Sequence, residues 1–263
     1  MSMRADLYLV EYGFVKSRTA ARKYIEQGHV VLDGQVIKKP SQDVTEQEHT
    51  VEILQPERYV SRGGLKLEGA LRAFEIDVRG MRAADIGAST GGFTDCLLQS
   101  GAAHVYAIDS GRDQLDPDLM LDERVSCMEG VNARYLQPEQ LDGCVDIVVM
   151  DVSFISQTLI LPAVAGLLKD GGVYIGLIKP QFEAGRAALN KSGIVKNAKD
   201  RRAAVERVLD AAAQQGLCLG GLIQSPIEGG DGNVEYLAYY IKNGENTNVR
   251  QKAVQALFAP HGK

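Results

Sequence analysis

Four charged residues stand in places where charge is unusual: Lys66, Asp151, Lys179 and Glu235. Lys66 falls in a helical stretch ahead of the first strand of an alternating strand–helix region. Asp151 closes the apolar run from Ile147 to Met150, and Lys179 closes the run from Tyr174 to Ile178. Glu235 lies within a late, edge-strand pattern, between Val234 and Tyr236. A charge at the C-terminal end of a parallel strand faces the ligand crevice of an open α/β sheet, not its core. Any one of the four could be a surface ion pair, but two strand-end charges in one sheet weigh against that reading. Amines and carboxylates gathered there could move protons or steady a developing charge.

A second set lies in the run Asp85, Ile86, Gly87, Ala88, Ser89, Thr90, Gly91, Gly92, Phe93, which leaves an apolar strand and opens a helix. Glycines at such a turn allow positive φ and close backbone approach to a ligand. The free N–H groups of the following helix start suit an anionic group, including a carboxylate. Asp109 ends the next strand, where a carboxylate can accept both hydroxyls of a ribose. The run is neither the dinucleotide GxGxxG nor a P-loop, since no Gly-Lys-Ser/Thr follows. The combination predicts nucleoside binding by Asp85, Gly87, Ala88, Ser89, Gly91, Gly92, Phe93 and Asp109.

A third set is basic. Lys16, Ser17, Arg18, Arg22 and Lys23 open a helix with no acidic residue among them. Arg18 and Arg22 share a face at i,i+4, and Ser17 can cap the helix. A solvated helix face is the alternative.

These residues need elements to carry them. Residues 1–55 show a helical period through Leu7, Leu9, Val10 and then Ala20, Ala21, Tyr24, Ile25, with Gly28 as its stop signal. Two strands, His29–Leu32 and Gln35–Ile37, flank Asp33-Gly34, a strong hairpin signal. A linker is expected over 56–64, including Arg62, and a larger domain over 65–263. Strands are predicted at Ala83–Ile86, His104–Asp109, Arg124–Met128, Asp146–Met150 and Val173–Lys179, and helices at 92–100, 155–168 and 199–215. This alternation predicts a parallel sheet covered on both faces. Strands near 217–225 and 233–241, joined by a Gly-rich turn from Glu228 to Gly232, predict an antiparallel hairpin at one edge.

The 263 residues are 45% hydrophobic and 24% charged, ordinary for a globular protein. The net charge of −5 speaks weakly against a nucleic-acid partner, although an acidic total can hide a local basic patch. Cys96, Cys127, Cys144 and Cys218 form no CxxC pair, and His29, His49, His104 and His261 are dispersed. No metal site is expected, and reduced thiols in a cytoplasmic protein are. The N-terminus lacks a signal-peptide pattern. The most apolar stretch, Leu159 to Leu168, is too short to span a bilayer.

Several motifs resemble known families. Arg4-Ala5-Asp6, Gly13, Ser17-Arg18, Ala21, Ile25, Gly28, Val30 and Asp33-Gly34 resemble the S4 RNA-binding domain. That resemblance implies RNA binding through Lys16, Ser17, Arg18, Arg22, Lys23 and the hairpin, with Arg62 added from the linker. DIGASTGGF at 85–93 resembles the first motif of class I methyltransferases. It implies S-adenosylmethionine, with the methionine end near Gly87–Gly91 and the ribose near Asp109. SRGGLKL at 61–67, DVSFIS at 151–156, IKPQFE at 178–183 and GNVEYL at 232–237 resemble, in order, the Lys-Asp-Lys-Glu tetrad of FtsJ-like ribose methyltransferases. With GIV at 193–195 and SPIEG at 225–229, the chain resembles the TlyA (haemolysin A) family over nearly its whole length.

The implied fold is a class I methyltransferase, Rossmann-like and mostly parallel with an antiparallel edge hairpin, plus a small α+β S4 domain. The implied reaction is 2′-O-methylation of cytidine in ribosomal RNA, without metal, on ribosomal RNA or ribosomal subunits. The implied catalytic residues are Lys66, Asp151, Lys179 and Glu235. A ribose hydroxyl is a weak acid, so Lys179 is expected as general base or alkoxide stabiliser. Glu235 is expected to orient Lys179, Asp151 to lie between cofactor and tetrad, and Lys66 to hold a phosphate or ribose. Two stretches depart from the family's pattern: Ser110 to Leu115, including Arg112-Asp113, and Met128 to Asn132, including Gly130-Val131. The alternative is an RNA-binding assembly protein with an inactive methyltransferase domain, against which the intact tetrad speaks. Membrane lysis would need a span or a strongly basic amphipathic helix, and neither pattern is present.

Overall fold

A computed structural model describes residues 2–45, 47–54, 58–229, 232–245 and 249–259. Linker residues Pro56 and Glu57, turn residues Gly230 and Asp231, and His261 lie outside them. The chain divides into two units, Met1–Arg58 and Tyr59–Lys263.

The first unit runs β1 (Ser2–Arg4), α1 (Ala5–Glu11), α2 (Arg18–Glu26), β2 (Val30–Leu32), β3 (Gln35–Val36), β4 (Asp43–Thr45) and β5 (Val51–Ile53). The expected hairpin is β2–β3, with Leu32 opposite Gln35. Asp33 and Gly34 both take positive φ, 50° and 79°, as a two-residue hairpin turn demands. The sheet continues to β5, while β1 pairs with β4 in a separate ribbon. Ala5, Tyr8, Leu9, Ala21, Tyr24, Ile25, Val30, Ile37 and Val44 form the core. Gly13 breaks the helical period into two helices. Ser17 caps α2 by accepting from the Ala20 N–H at 3.2 Å.

The second unit opens with α3 (Gly63–Ala73), then β6 (Arg82–Ile86), α4 (Gly92–Gln99), β7 (His104–Asp109), α5 (Pro117–Met120), β8 (Val125–Glu129) and β9 (Val145–Met150). It continues through α6 (Leu161–Leu167), β10 (Leu168–Ile178), α7 (Pro180–Glu183), α8 (Ala198–Gln214), β11 (Leu217–Gln224), β12 (Tyr236–Lys242) and α9 (Val249–Phe258). Among the described residues the sheet order is β11-β12-β10-β9-β6-β7-β8. The five strands from β6 to β10 are parallel, and β12 runs antiparallel between β10 and the edge strand β11. Ile147, Val148, Val149 and Met150 are all buried, as a strand covered on both faces requires.

Three expectations are corrected. Residues 59–64 are not linker: Tyr59 is buried in the core of the second unit, the Val60 N–H donates to Asp95 at 2.9 Å, and α3 has begun by Gly63. The single helix expected over 155–168 is a 3-10 turn at Gln157–Leu159 followed by α6. Pro162 explains the restart, since its ring suits the first turn of a helix and not its interior. Glu235 also lies just ahead of β12, which is one strand in from the edge.

Candidate active site

Asp151 and Lys179 follow neighbouring parallel strands, β9 and β10, whose spacing of about 4.8 Å brings their side chains together. Lys179 Nζ lies 2.6 Å from Asp151 Oδ1 and donates to Ser153 Oγ at 2.9 Å. Lys66, from α3, donates to Glu235 Oε2 at 2.6 Å, both side chains being buried. The pairing therefore differs from expectation: Glu235 engages Lys66, and Asp151 takes Lys179. The reason is topological, because Lys179 and Asp151 end adjacent strands while Glu235 enters the sheet opposite α3. Burying a charged pair costs desolvation energy that apolar residues would avoid, so fold stability alone does not account for the buried Lys66–Glu235 pair.

Two cavities meet at this point. One, of about 310 Å³, is lined by Lys66, Lys179, Arg62, Phe93 and the turn from Gly87 to Thr90. The other, of about 520 Å³, is lined by Asp109, Ser110, Val131, Asn132 and Phe154. Gly87, Ser89, Asp151 and Ser153 belong to both. At Gly87 φ is +85°, and a Cβ would stand 2.4 Å from the Asp151 carbonyl oxygen. A side chain there would close the passage between strand end and loop.

Asp109 binds the same turn. Its carboxylate accepts the Ser89 N–H at 2.9 Å and the Gly111 N–H at 2.7 Å. A carboxylate has lone pairs beyond these two, which suits it to ribose hydroxyls as well. The stretches that depart from the family's pattern have a structural role here. The Glu129 carboxylate accepts the N–H groups of Asp113, Gln114 and Leu115 at 2.6–3.1 Å. These bonds hold its carboxyl below the usual range and fasten the loop that follows Asp109.

Two expected cofactor residues lie behind the loop. Asp85 and Gly91 line neither cavity. Gly91 takes φ +95°, and a Cβ there would meet Leu119 at 2.3 Å, so it serves packing. Asp85 is fully buried and accepts from Thr94 Oγ1 at 2.7 Å, while its Oδ1 has no hydrogen-bond partner. Burial pushes its carboxyl up to about 7, against the Thr94 bond and with the repulsion of Asp151. Ala88, Ser89, Gly92 and Phe93 line the first cavity.

Sequence reasoning missed three side chains. Phe154 is 93% exposed and sits at φ +64°, a strained conformation for a bulky residue. It stands beside Phe182, ring centroids 5.2 Å apart. Ser153 holds Lys179. Glu183 is buried and accepts Ser156 Oγ at 2.5 Å and the Gln157 N–H at 2.8 Å, tying the segment after Ser153 to the turn after Lys179. Burial raises its carboxyl. All three lie inside the motifs DVSFIS and IKPQFE, but type and spacing carried no sign of their exposure or contacts.

In the first unit Lys16, Ser17, Arg18, Arg22 and Lys23 are all exposed. Arg18 and Arg22 each donate through Nε to Asp6 Oδ2 at 3.1 Å. In the second unit Arg62 donates to the Glu228 carbonyl at 2.8 Å.

Among the described residues no cluster of three or more His, Cys, Asp or Glu could hold a metal. No helix among them is long and apolar enough to cross a membrane.

Comparison with known proteins gives the lineage. The FtsJ-like methyltransferase pattern matches residues 59–242, and the S4 domain pattern matches residues 3–49. The 16S/23S rRNA (cytidine-2'-O)-methyltransferase TlyA of Mycobacterium tuberculosis is 43% identical over 237 residues, covering 90% of this chain and 88% of that protein. Hemolysin A of Brachyspira hyodysenteriae is 39% identical over 240 residues, covering 91% of this chain and 100% of that protein. A solved Streptococcus thermophilus structure that carries a hemolysin name superposes with a TM-score of 0.77 at 41% identity, covering 98% of this chain and 94% of that one. With a Lys-Asp-Lys-Glu set around two adjoining cavities and these matches along its length, the chain belongs to the FtsJ-like methyltransferase family and carries an S4 domain ahead of its methyltransferase domain.

Proposed function

We propose that the protein is an S-adenosylmethionine-dependent methyltransferase acting on the 2′-hydroxyl of cytidine in ribosomal RNA. One observation carries the proposal. The cavity with both lysines and the cavity with Asp109 share a wall made of Gly87, Ser89, Asp151 and Ser153. A nucleoside on one side and a ribose on the other would meet at that wall. The relatives named as rRNA (cytidine-2'-O)-methyltransferases support the same substrate.

Asp109 would take the cofactor's ribose, Val131 and Asn132 would flank its base, and the Gly87–Ser89 turn would hold its methionine end. S-adenosylmethionine, when bound, supplies an electrophilic methyl group on sulfur. Lys179, held by Asp151 and Ser153, would donate to the substrate hydroxyl oxygen and so steady the oxyanion that develops there as the hydroxyl proton passes to water in the open cavity. Lys66, fixed by Glu235, sets the substrate ribose or phosphate from the opposite wall. Placing the hydroxyl in line with the methyl group supplies a large share of the rate. Phe154 offers an exposed ring on which an unstacked base can rest. The basic face of α2 meets RNA phosphates, a salt-sensitive contact. Four unpaired cysteines accord with a cytoplasmic setting.

The test is methyl transfer from labelled S-adenosylmethionine to ribosomal RNA, with 2′-O-methyl mapping of the product. Label on a cytidine ribose that disappears in Lys179→Ala supports the proposal. Label on a base, or none on any ribosomal RNA, overturns it.

A further inference from the structure

Asp6 is an acidic residue at the centre of a basic face. Its side chain is 0% exposed, and three arginines from two segments converge on it. Arg4 donates through Nε to Oδ1 at 2.9 Å and through Nη2 to Oδ2 at 3.0 Å. Arg18 and Arg22 add their Nε groups at 3.1 Å each. Arg18 and Arg22 are i,i+4 neighbours on α2, where like charges repel. Asp6, arriving from α1, is what lets them lie side by side. Both arginine side chains remain about half exposed, at 49% and 52%. Each uses one edge inward, which leaves guanidinium N–H groups facing solvent. Asp43, opposite Arg4 on β4, adds a second carboxylate near Arg4, so the excess positive charge lies toward Arg18 and Arg22.

We propose that Asp6 is a positioning residue which gathers Arg4, Arg18 and Arg22 into one preorganised site for an RNA backbone phosphate. A planar guanidinium fixed by one edge binds a phosphate bidentately with the other, and holding it in advance removes the side-chain ordering cost at binding. The inference rests on the RNA-binding reading of the S4 domain, and it makes a prediction that charge alone reverses. Removing a carboxylate from a basic face should tighten RNA binding if only net charge matters. It should weaken binding if Asp6 aims the arginines.

The experiment measures full-length protein on a ribosomal RNA transcript that the wild type methylates, over a salt series. Asp6→Asn is expected to raise KM for RNA about tenfold, leave kcat at saturating RNA unchanged and leave S-adenosylmethionine affinity unchanged. In an Arg18→Ala, Arg22→Ala background the same change should add little, because Asp6 acts through those arginines. Equal or tighter RNA binding by Asp6→Asn overturns the proposal, and so does an undiminished loss in the Arg→Ala background. Where Asp6→Asn lowers the melting transition of the first unit, Asp6→Glu serves. It keeps the charge but shifts the acceptor, and unaltered RNA binding in it overturns the proposal. Charge reversal at Arg18 and Arg22 tests the RNA reading separately. If that double variant binds RNA normally, the reading fails; if it binds poorly while Asp6→Asn does not, the inference alone fails.

Discussion

The two units solve the same electrostatic problem in opposite ways. In the first, one buried carboxylate serves three arginines that keep much of their surface in water. In the second, each lysine of the site has its own carboxylate, Lys66 with Glu235 in a buried pair and Lys179 with Asp151 in a partly buried one. Sharing leaves surplus positive charge at the surface, which suits grip on a polyanion. One-to-one pairing leaves little net charge but fixes each amine where water is scarce and its hydrogen bonds are strong. The difference separates the proposed RNA-binding face from the candidate active site within one chain. A third carboxyl, Asp85, is fully buried with no ion pair among the described residues.

Breaking the paired arrangement should have the largest effect. Lys179→Ala is expected to lower kcat for methyl transfer on the order of 100- to 1000-fold, as loss of an oxyanion donor does, while calorimetry shows S-adenosylmethionine still binding. Turnover near the wild-type level would remove Lys179 from the chemistry.

Breaking the shared arrangement should act on affinity instead. Arg18→Glu with Arg22→Glu is expected to weaken RNA binding on the order of 10- to 100-fold and to flatten the salt dependence by about two phosphate contacts. An unaltered salt slope would show that the basic helix is only a solvated face.

Phe154 sharpens the contrast, because it contributes to the site without charge. Phe154→Ala should reduce kcat/KM for RNA about tenfold, in line with the loss of one stacked base, with cofactor affinity intact. Equal activity on the same transcript would discard the base platform.

The smallest effect concerns Asp85. Its folded carboxyl is raised from 3.8 to about 7. The stability it contributes is therefore fully present below the unfolded value and is lost as pH rises through about 7. Scanning calorimetry from pH 5 to 8 should show the second unit melting at lower temperature as pH rises, by at most about 1.4 kcal/mol per pH unit from this group. Asp85→Asn should remove that component. An identical pH slope in the variant would mean that the carboxyl stays ionised.

Much of the second unit was legible in the chain. The apolar runs of β6, β7, β9 and β10 are long enough to identify as buried strands, and their alternation with helices dictates a parallel sheet. The short pieces were not. β1, β4 and β5 have three residues each, too few for periodicity, and they exist because distant partners complete them. Tyr59 and its neighbours resembled a linker because Pro56 and the glycines punctuate that stretch, yet Tyr59 packs into the core. In the site, the candidate tetrad and the turn carrying Gly87 and Ser89 could be picked out from type and position. Asp85 and Gly91 belong to the same motif but line neither cavity.

Residue order along the chain thus sufficed to pick out Lys66, Asp151, Lys179 and Glu235 as the candidate set, since strand ends, glycine turns and helix faces are local properties. Which carboxylate meets which amine, that Asp6 joins Arg4, Arg18 and Arg22, and that Phe154 stands in solvent are settled only once the elements pack. Ion pairs form by distance in space, and the distance between Lys66 and Glu235 is set by the packing of elements around the sheet, not by their separation of 169 positions along the chain.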